Sequence, residues 1–190
     1  IHDGVKRIER TVASLLDFSR PRSMHLGPAS LNQSLKRVID LVRFQLRKSG
    51  VEPRFELDTR DPWIVGDRFQ VEQLLLNLVL NAIQAMPEGG VVTLRVDSFA
   101  DNVRLAVSDT GPGIADEQIE RVFQPGEGPL VDDRDSYGLG LAIVVHLLDQ
   151  IGGRLEVMSK PDTGTTFWAH FPVVLPRKDI VTTAVEAGSF

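Results

Sequence analysis

The chain is predicted to fold as an α+β two-layer sandwich: a mixed β-sheet covered on one face by helices. Two pairs of short alternating segments, 92–96 with 103–107 and 154–159 with 165–173, are joined by turn-forming residues and read as hairpins. Longer segments near 30–50, 67–86 and 139–151 repeat apolar residues every three or four positions and read as helices. Hairpins with helices between them fit helices gathered on one side of a sheet.

Taken in order, Ile1, Val5, Ile8, Val12 and Leu15 form a heptad seam that calls for a partner helix, ending before Pro21. Residues 1–20 are therefore expected to be a stem helix, and 21–29 a linker. Ser30 and Gln33 have capping-box spacing and open a helix carrying Leu35, Val38, Ile39, Val42 and Leu46 up to Gly50. Residues 51–57 alternate loosely and read as a strand. Asp67 and Gln70 form a second capping pair ahead of a helix running to about Met86, closed by Pro87-Glu88-Gly89-Gly90. Ala100-Asp101-Asn102 suits the first hairpin turn. A glycine-rich loop from Asp109 to Gly113 leads to a short helix with Ile119, Val122 and Phe123. Residues 124–137 are polar and aperiodic and read as a mobile loop. The helix from Leu139 to Ile151 stops at Gly152-Gly153. The globular domain is expected over 30–176, with 177–190 a frayed tail.

Composition narrows the function. The net charge of −5 gives no support to nucleic-acid binding, which calls for a basic patch. The absence of cysteine excludes disulfides, zinc–thiolate sites and cysteine nucleophiles, and fits a reducing cytoplasm. No run reaches the roughly 18 apolar residues of a membrane span. The opening Ile1-His2-Asp3-Gly4 lacks a start methionine and a signal pattern, so the chain is expected to be a cytoplasmic fragment, with any sensor or membrane segment lying upstream.

Three features carry chemistry. On the helix from Asp67, Gln70, Gln73, Asn77, Asn81 and Gln84 share one face, with Leu74, Leu75, Leu78, Val79, Ala82 and Ile83 filling the rest. Such a stripe is either a solvated polar face or a set of amide oxygens facing a cleft, where they can coordinate Mg²⁺ beside phosphates. Asp109 shares parity with Val103, Leu105 and Val107, so its carboxylate points to an apolar face and needs a partner. That partner is either a nearby backbone N–H in an Asx-type turn or a ligand N–H such as the amine of adenine. Gly138-Leu139-Gly140 opens a helix, which is either a plain turn or an anion site made by backbone N–H groups.

Their order and spacing together resemble the catalytic, ATP-binding domain of two-component sensor histidine kinases. Asn77 to Ala82 resembles the N box, Asp109 to Ile114 the G1 box, Arg121 to Pro125 the F box and Tyr137 to Val144 the G2 box. Gly164 to Pro172 resembles the closing hairpin, and Ile8 to Pro21 the second stem helix and its exit. The resemblance covers residues 1 to about 175 and is nearest the nitrogen-regulation type. It implies a Bergerat-type ATP-binding fold with ATP and Mg²⁺ as ligands. Asn81 would hold Mg²⁺ with Asn77 nearby, and Asp109 would accept from the adenine amine. Gly111 and Gly113 would shape the adenine end, with Thr165 supporting it through water. Gly138, Leu139 and Gly140 would meet the phosphates at the end of a lid spanning about 115–140. The implied partners are the protein's own stem histidine, a response-regulator receiver domain, and a second copy in a full-length homodimer.

The sequence also departs from that pattern. A phosphoacceptor histidine on a first stem helix is absent, and His2, His25, His146 and His170 read as surface or packing residues. The chain is thus expected to bind ATP without phosphorylating itself. The lid runs Gly126-Glu127-Gly128-Pro129 and then Asp132-Asp133-Arg134-Asp135, an acidic stretch that does not attract triphosphate. A nucleotide-binding regulatory module with weak or no kinase activity is the alternative. An ATPase of the chaperone or mismatch-repair kind is disfavoured, because the position four before Asn81 is the amide Asn77 rather than a catalytic glutamate.

Overall fold

The computed structural model describes residues 26–123 and 140–172. The expected stem helix, the 124–137 loop, Gly138, Leu139 and the tail lie outside the described residues, as does most of the linker.

Strands β1 (Gly27–Ser30), β2 (Val51–Glu56), β3 (Trp63–Gly66), β4 (Gly90–Ser98), β5 (Asn102–Asp109), β6 (Arg154–Lys160) and β7 (Gly164–Pro172) are interleaved with helices. These are α1 (Leu31–Lys48), α2 (Arg68–Gln84), α3 (Asp116–Ile119) and α4 (Gly140–Gln150), with a 3₁₀ turn at Arg121–Phe123. Both long N-terminal helices start at the residues that the sequence marks. The Ser30 hydroxyl accepts from the Gln33 amide at 3.1 Å, and Asp67 Oδ1 accepts from the Phe69 amide at 2.8 Å. Each cap satisfies backbone donors that the first turn leaves open.

Five strands form one mixed sheet in the order β2-β4-β5-β7-β6, antiparallel except for the parallel pair β2–β4. That parallel pair needs a long crossover, and β3 and α2 supply it. The β4–β5 hairpin closes with the Phe99 amide donating to the Asn102 carbonyl at 2.8 Å. One sheet face carries Val92, Leu94, Val96, Val103, Leu105, Val107, Phe167, Ala169 and Phe171, all buried. Against it pack Leu74, Leu75, Leu78, Val79, Ala82 and Ile83 of α2 with Val144 and Leu148 of α4. This is the two-layer sandwich that the alternation of the strands and the helical spacing predict.

The sequence reading misses a two-stranded sheet. β1 pairs antiparallel with β3, Gly27 opposite Gly66 and Ser30 opposite Trp63. The expected linker therefore already includes strand residues. Both strands are four residues long, too short for alternation to register. The Ser30 hydroxyl also donates to Asp61 at 2.6 Å, fastening the start of α1 to the loop before β3. No helix among the described residues is long and apolar enough to cross a membrane.

Candidate nucleotide site

The C-terminal half of α2 is the spine of the site. Asn77, Asn81 and Ala85 recur every four residues and so share one side of the helix over about 12 Å. The Asn77 amide nitrogen donates to the Gln73 carbonyl at 2.9 Å. That bond uses the donor end of the carboxamide and turns its oxygen the other way. The N-terminus of α4 arrives at the same place. A Cβ built on Gly140 would stand 3.0 Å from Asn81 Oδ1 and 3.6 Å from Asn77 Oδ1. The carboxamide face is therefore not a plain solvated stripe: two amide oxygens meet the electropositive start of a helix. Gly140 keeps that approach open, since any side chain there would crowd Asn81.

One turn further along α2 the glycine-rich loop comes in. A Cβ on Gly111 would lie 2.9 Å from the Ala85 carbonyl and 2.8 Å from Asp109 Oδ1. Asp109 is only 8% exposed. Its Oδ1 accepts from the Gly111 amide at 2.9 Å and the Thr165 amide at 3.3 Å, so the Asx-type turn is present. Oδ2 takes no backbone donor among the described residues, and it is the oxygen left for a ligand N–H. Burial raises the carboxyl above its ordinary value, and the bonds from Gly111 and Thr165 partly offset this. Gly113 adopts φ +72°, and a Cβ there would fall 2.1 Å from the Lys160 carbonyl, so only glycine lets the loop cross β6 so closely.

The expected residues thus fall into two groups along one helix. Asn77, Asn81 and Gly140 meet near the middle of α2's C-terminal half; Asp109, Gly111 and Thr165 meet beside its end, with Gly113 against the β6–β7 turn. Gly138 and Leu139 lie outside the described residues. His170 sits at the far end of β7 from Thr165, its Nε2 3.1 Å from Glu156, and the ring nitrogen of exposed His146 lies 2.9 Å from the Gln150 amide. Glu72, further back on α2, is paired with Arg37 at 2.6 Å.

Sequence reasoning overlooks two residues here. Gly164, at φ +114°, would carry a Cβ only 2.0 Å from the Asp109 carbonyl. The Ser159 hydroxyl accepts from the Ile114 amide at 2.8 Å and reaches Thr165 Oγ1 at 2.8 Å. The available signal is parity. Leu155, Val157 and Ser159 repeat on β6 what Val103, Leu105, Val107 and Asp109 show on β5: an apolar face ending in a polar residue.

No group of three His, Asp or Glu side chains placed to hold a metal occurs among the described residues. A divalent ion here would rest on carboxamide oxygens and ligand phosphates. The two oxygens beside Gly140 fit that donor set, because Mg²⁺ takes oxygen ligands and retains waters and phosphates.

Comparison with known proteins agrees with this geometry. Residues 66–175 match the family model described as histidine kinase-, DNA gyrase B-, and HSP90-like ATPase. The chain is 34% identical over 173 residues to the sensor histidine kinase ZraS of Escherichia coli, an alignment covering 91% of this chain and 37% of that protein. The chain spans little more than a third of that relative's length. Among solved structures, the fold resembles full-length ShkA in complex with AMPPNP, with TM-score 0.70, 30% identity, and 82% and 33% of the two chains covered. It also resembles the histidine kinase ThkA in complex with the response regulator protein TrrA, with TM-score 0.74, 28% identity, and 91% and 49% covered.

Proposed function

We propose, given that this chain belongs to the family of histidine kinase-, DNA gyrase B- and HSP90-like ATPases, that it serves a sensor histidine kinase as the part that binds Mg-ATP. In this reading it presents the γ-phosphoryl group to a histidine on a stem, from which a response regulator receives it. The observation that carries the reading is the placement along α2 of an oxygen-lined helix N-terminus at Asn77 and Asn81 and, one turn further on beside Ala85, a buried carboxylate.

Each residue then has a role. Asp109 accepts the adenine amine through Oδ2 while Gly111 and Thr165 hold Oδ1. Gly111 and Gly113 let backbone line the base. Asn81, with Asn77 beside it, would hold Mg²⁺ against the phosphates. Gly140 would give the phosphates a backbone N–H and the positive end of α4, and the family resemblance assigns Gly138 and Leu139 to the phosphates as well. A magnesium ion held there would supply neutralisation of phosphate charge, and positioning with charge neutralisation is most of what phosphoryl transfer asks of a protein. The assigned residues include no nucleophile or general base, consistent with an acceptor supplied from elsewhere. The nitrogen-regulation subtype, dimerisation through a stem and a cytoplasmic setting belong to the same proposal.

Phosphoryl transfer in trans tests it. The chain is mixed with γ-labelled ATP, Mg²⁺ and a stem segment carrying an acceptor histidine from the same protein. The expected result is labelled stem, unlabelled chain, and loss of label with Asn81→Ala or Asp109→Ala. A chain that binds ATP yet labels no stem supports the regulatory-module reading instead.

A further inference from the structure

Ser159 has a place in the base-recognising end that nothing above assigns. Asp109, Thr165 and Ser159 stand opposite one another on β5, β7 and β6, Asp109 paired with Thr165 and Thr165 with Ser159. Their side chains therefore form one row on the core face of the sheet, at the edge where the glycine loop crosses. Ser159 Oγ makes contacts of hydrogen-bond length to the Ile114 amide at 2.8 Å, the Gly164 carbonyl at 3.1 Å and Thr165 Oγ1 at 2.8 Å.

A hydroxyl has one proton and two lone pairs. The amide of Ile114 can only donate and the carbonyl of Gly164 can only accept. All three contacts are hydrogen bonds together only when the Ser159 proton goes to Gly164 and Thr165 donates to Ser159. The Thr165 proton is then committed, and its oxygen offers only lone pairs beside the Asp109 carboxylate. Two neighbouring acceptors match a ligand amine, directly or through water, and oppose a carbonyl at the same place.

We propose that Ser159 is a positioning residue for base selectivity: by accepting the Thr165 proton it keeps that hydroxyl an acceptor, so the pocket favours a 6-amino purine over a 6-oxo purine. This rests on the nucleotide reading given above. Without Ser159, the Thr165 hydroxyl can turn and donate to a 6-oxo group, so discrimination narrows while the pocket remains.

The test is calorimetric titration of this chain with Mg-ATP and with Mg-ITP, whose base carries oxygen in place of the amine. Wild type, Ser159→Ala and Ser159→Thr are compared, each shown folded by circular dichroism. Ser159→Cys, which keeps the size and weakens the hydrogen bonds, replaces the alanine variant should that one fail to fold. Wild type is expected to prefer ATP. The alanine variant should narrow that preference about three- to tenfold, the scale of one hydrogen bond, and threonine should restore it. A folded alanine or cysteine variant with the wild-type preference overturns the role of Ser159 and leaves the nucleotide reading standing. A wild-type chain that binds ATP and ITP equally, or neither, overturns the adenine reading and this inference with it.

Discussion

At the residue scale, Asp109 is where burial and chemistry oppose each other. Its side chain ends an apolar row, and desolvation raises its carboxyl above the ordinary value of 3.8. With the folded value above the unfolded one, ionisation costs the folded state more, so the penalty is absent at low pH and complete once pH has risen through the folded value. Asp109→Asn is therefore expected to raise the melting temperature near pH 7, by roughly 2–4 °C per kcal/mol removed, with the gain gone near about pH 3. The same variant should lose ATP binding, because Asn cannot present two acceptors. In the wild type, affinity should fall as pH drops through the raised value of this carboxyl, as the carboxylate takes up its proton. Thermal melts and titrations at several pH values check both signs. Parity and the Asp109–Gly113 motif together made Asp109 legible in the sequence, since a carboxylate in register with three apolar residues has to be explained. Ser159 obeys the same rule but stayed hidden, because a serine on a strand is unremarkable until its three partners are placed around it.

At the scale of elements, two glycines that look alike in the sequence differ in kind. Gly113 is required by backbone conformation and by the Lys160 carbonyl 2.1 Å from where a Cβ would stand. Gly113→Ala should cost stability outright, on the order of 2 kcal/mol or more, and nucleotide binding should fall with it. Gly140 begins a helix, where alanine is intrinsically favoured by up to about 1 kcal/mol. Its Cβ would press on Asn81 Oδ1 at 3.0 Å and little else. Gly140→Ala should therefore melt no lower than wild type and still weaken Mg-ATP binding, a separation that paired melts and titrations detect. The helices were legible because their starts carry a chemical mark: Ser30 and Asp67 both cap where their spacing to Gln33 and Gln70 indicates. The β1–β3 pair was not. Four-residue strands carry too little pattern, and one of them contains Pro28, so their pairing is set by the tertiary contacts that bring Gly27 opposite Gly66.

At the scale of the whole molecule, the sheet and α2 hold the two ends of the site at a fixed separation. The row Asp109–Thr165 is tied to β5 and β7, the pair Asn77–Asn81 is tied to α2, and Ala85 packed against Gly111 joins them. The spacing of the motifs along the sequence has no simple relation to this arrangement; Asn81 and Gly140 meet across 59 residues because α4 packs against α2. The sequence could therefore supply the residue types and the family they resemble, and only the fold shows which oxygen faces which helix end. The central claim is that these two groups form one nucleotide site, and titration of Mg-ATP into the chain beside Asp109→Ala and Asn81→Ala tests it most directly. The account predicts one site per chain in the wild type and at least about a tenfold loss in each variant, as expected when a charged or metal-bound partner is removed. A folded chain that binds no Mg-ATP, or binds it equally well with either residue replaced, would contradict it.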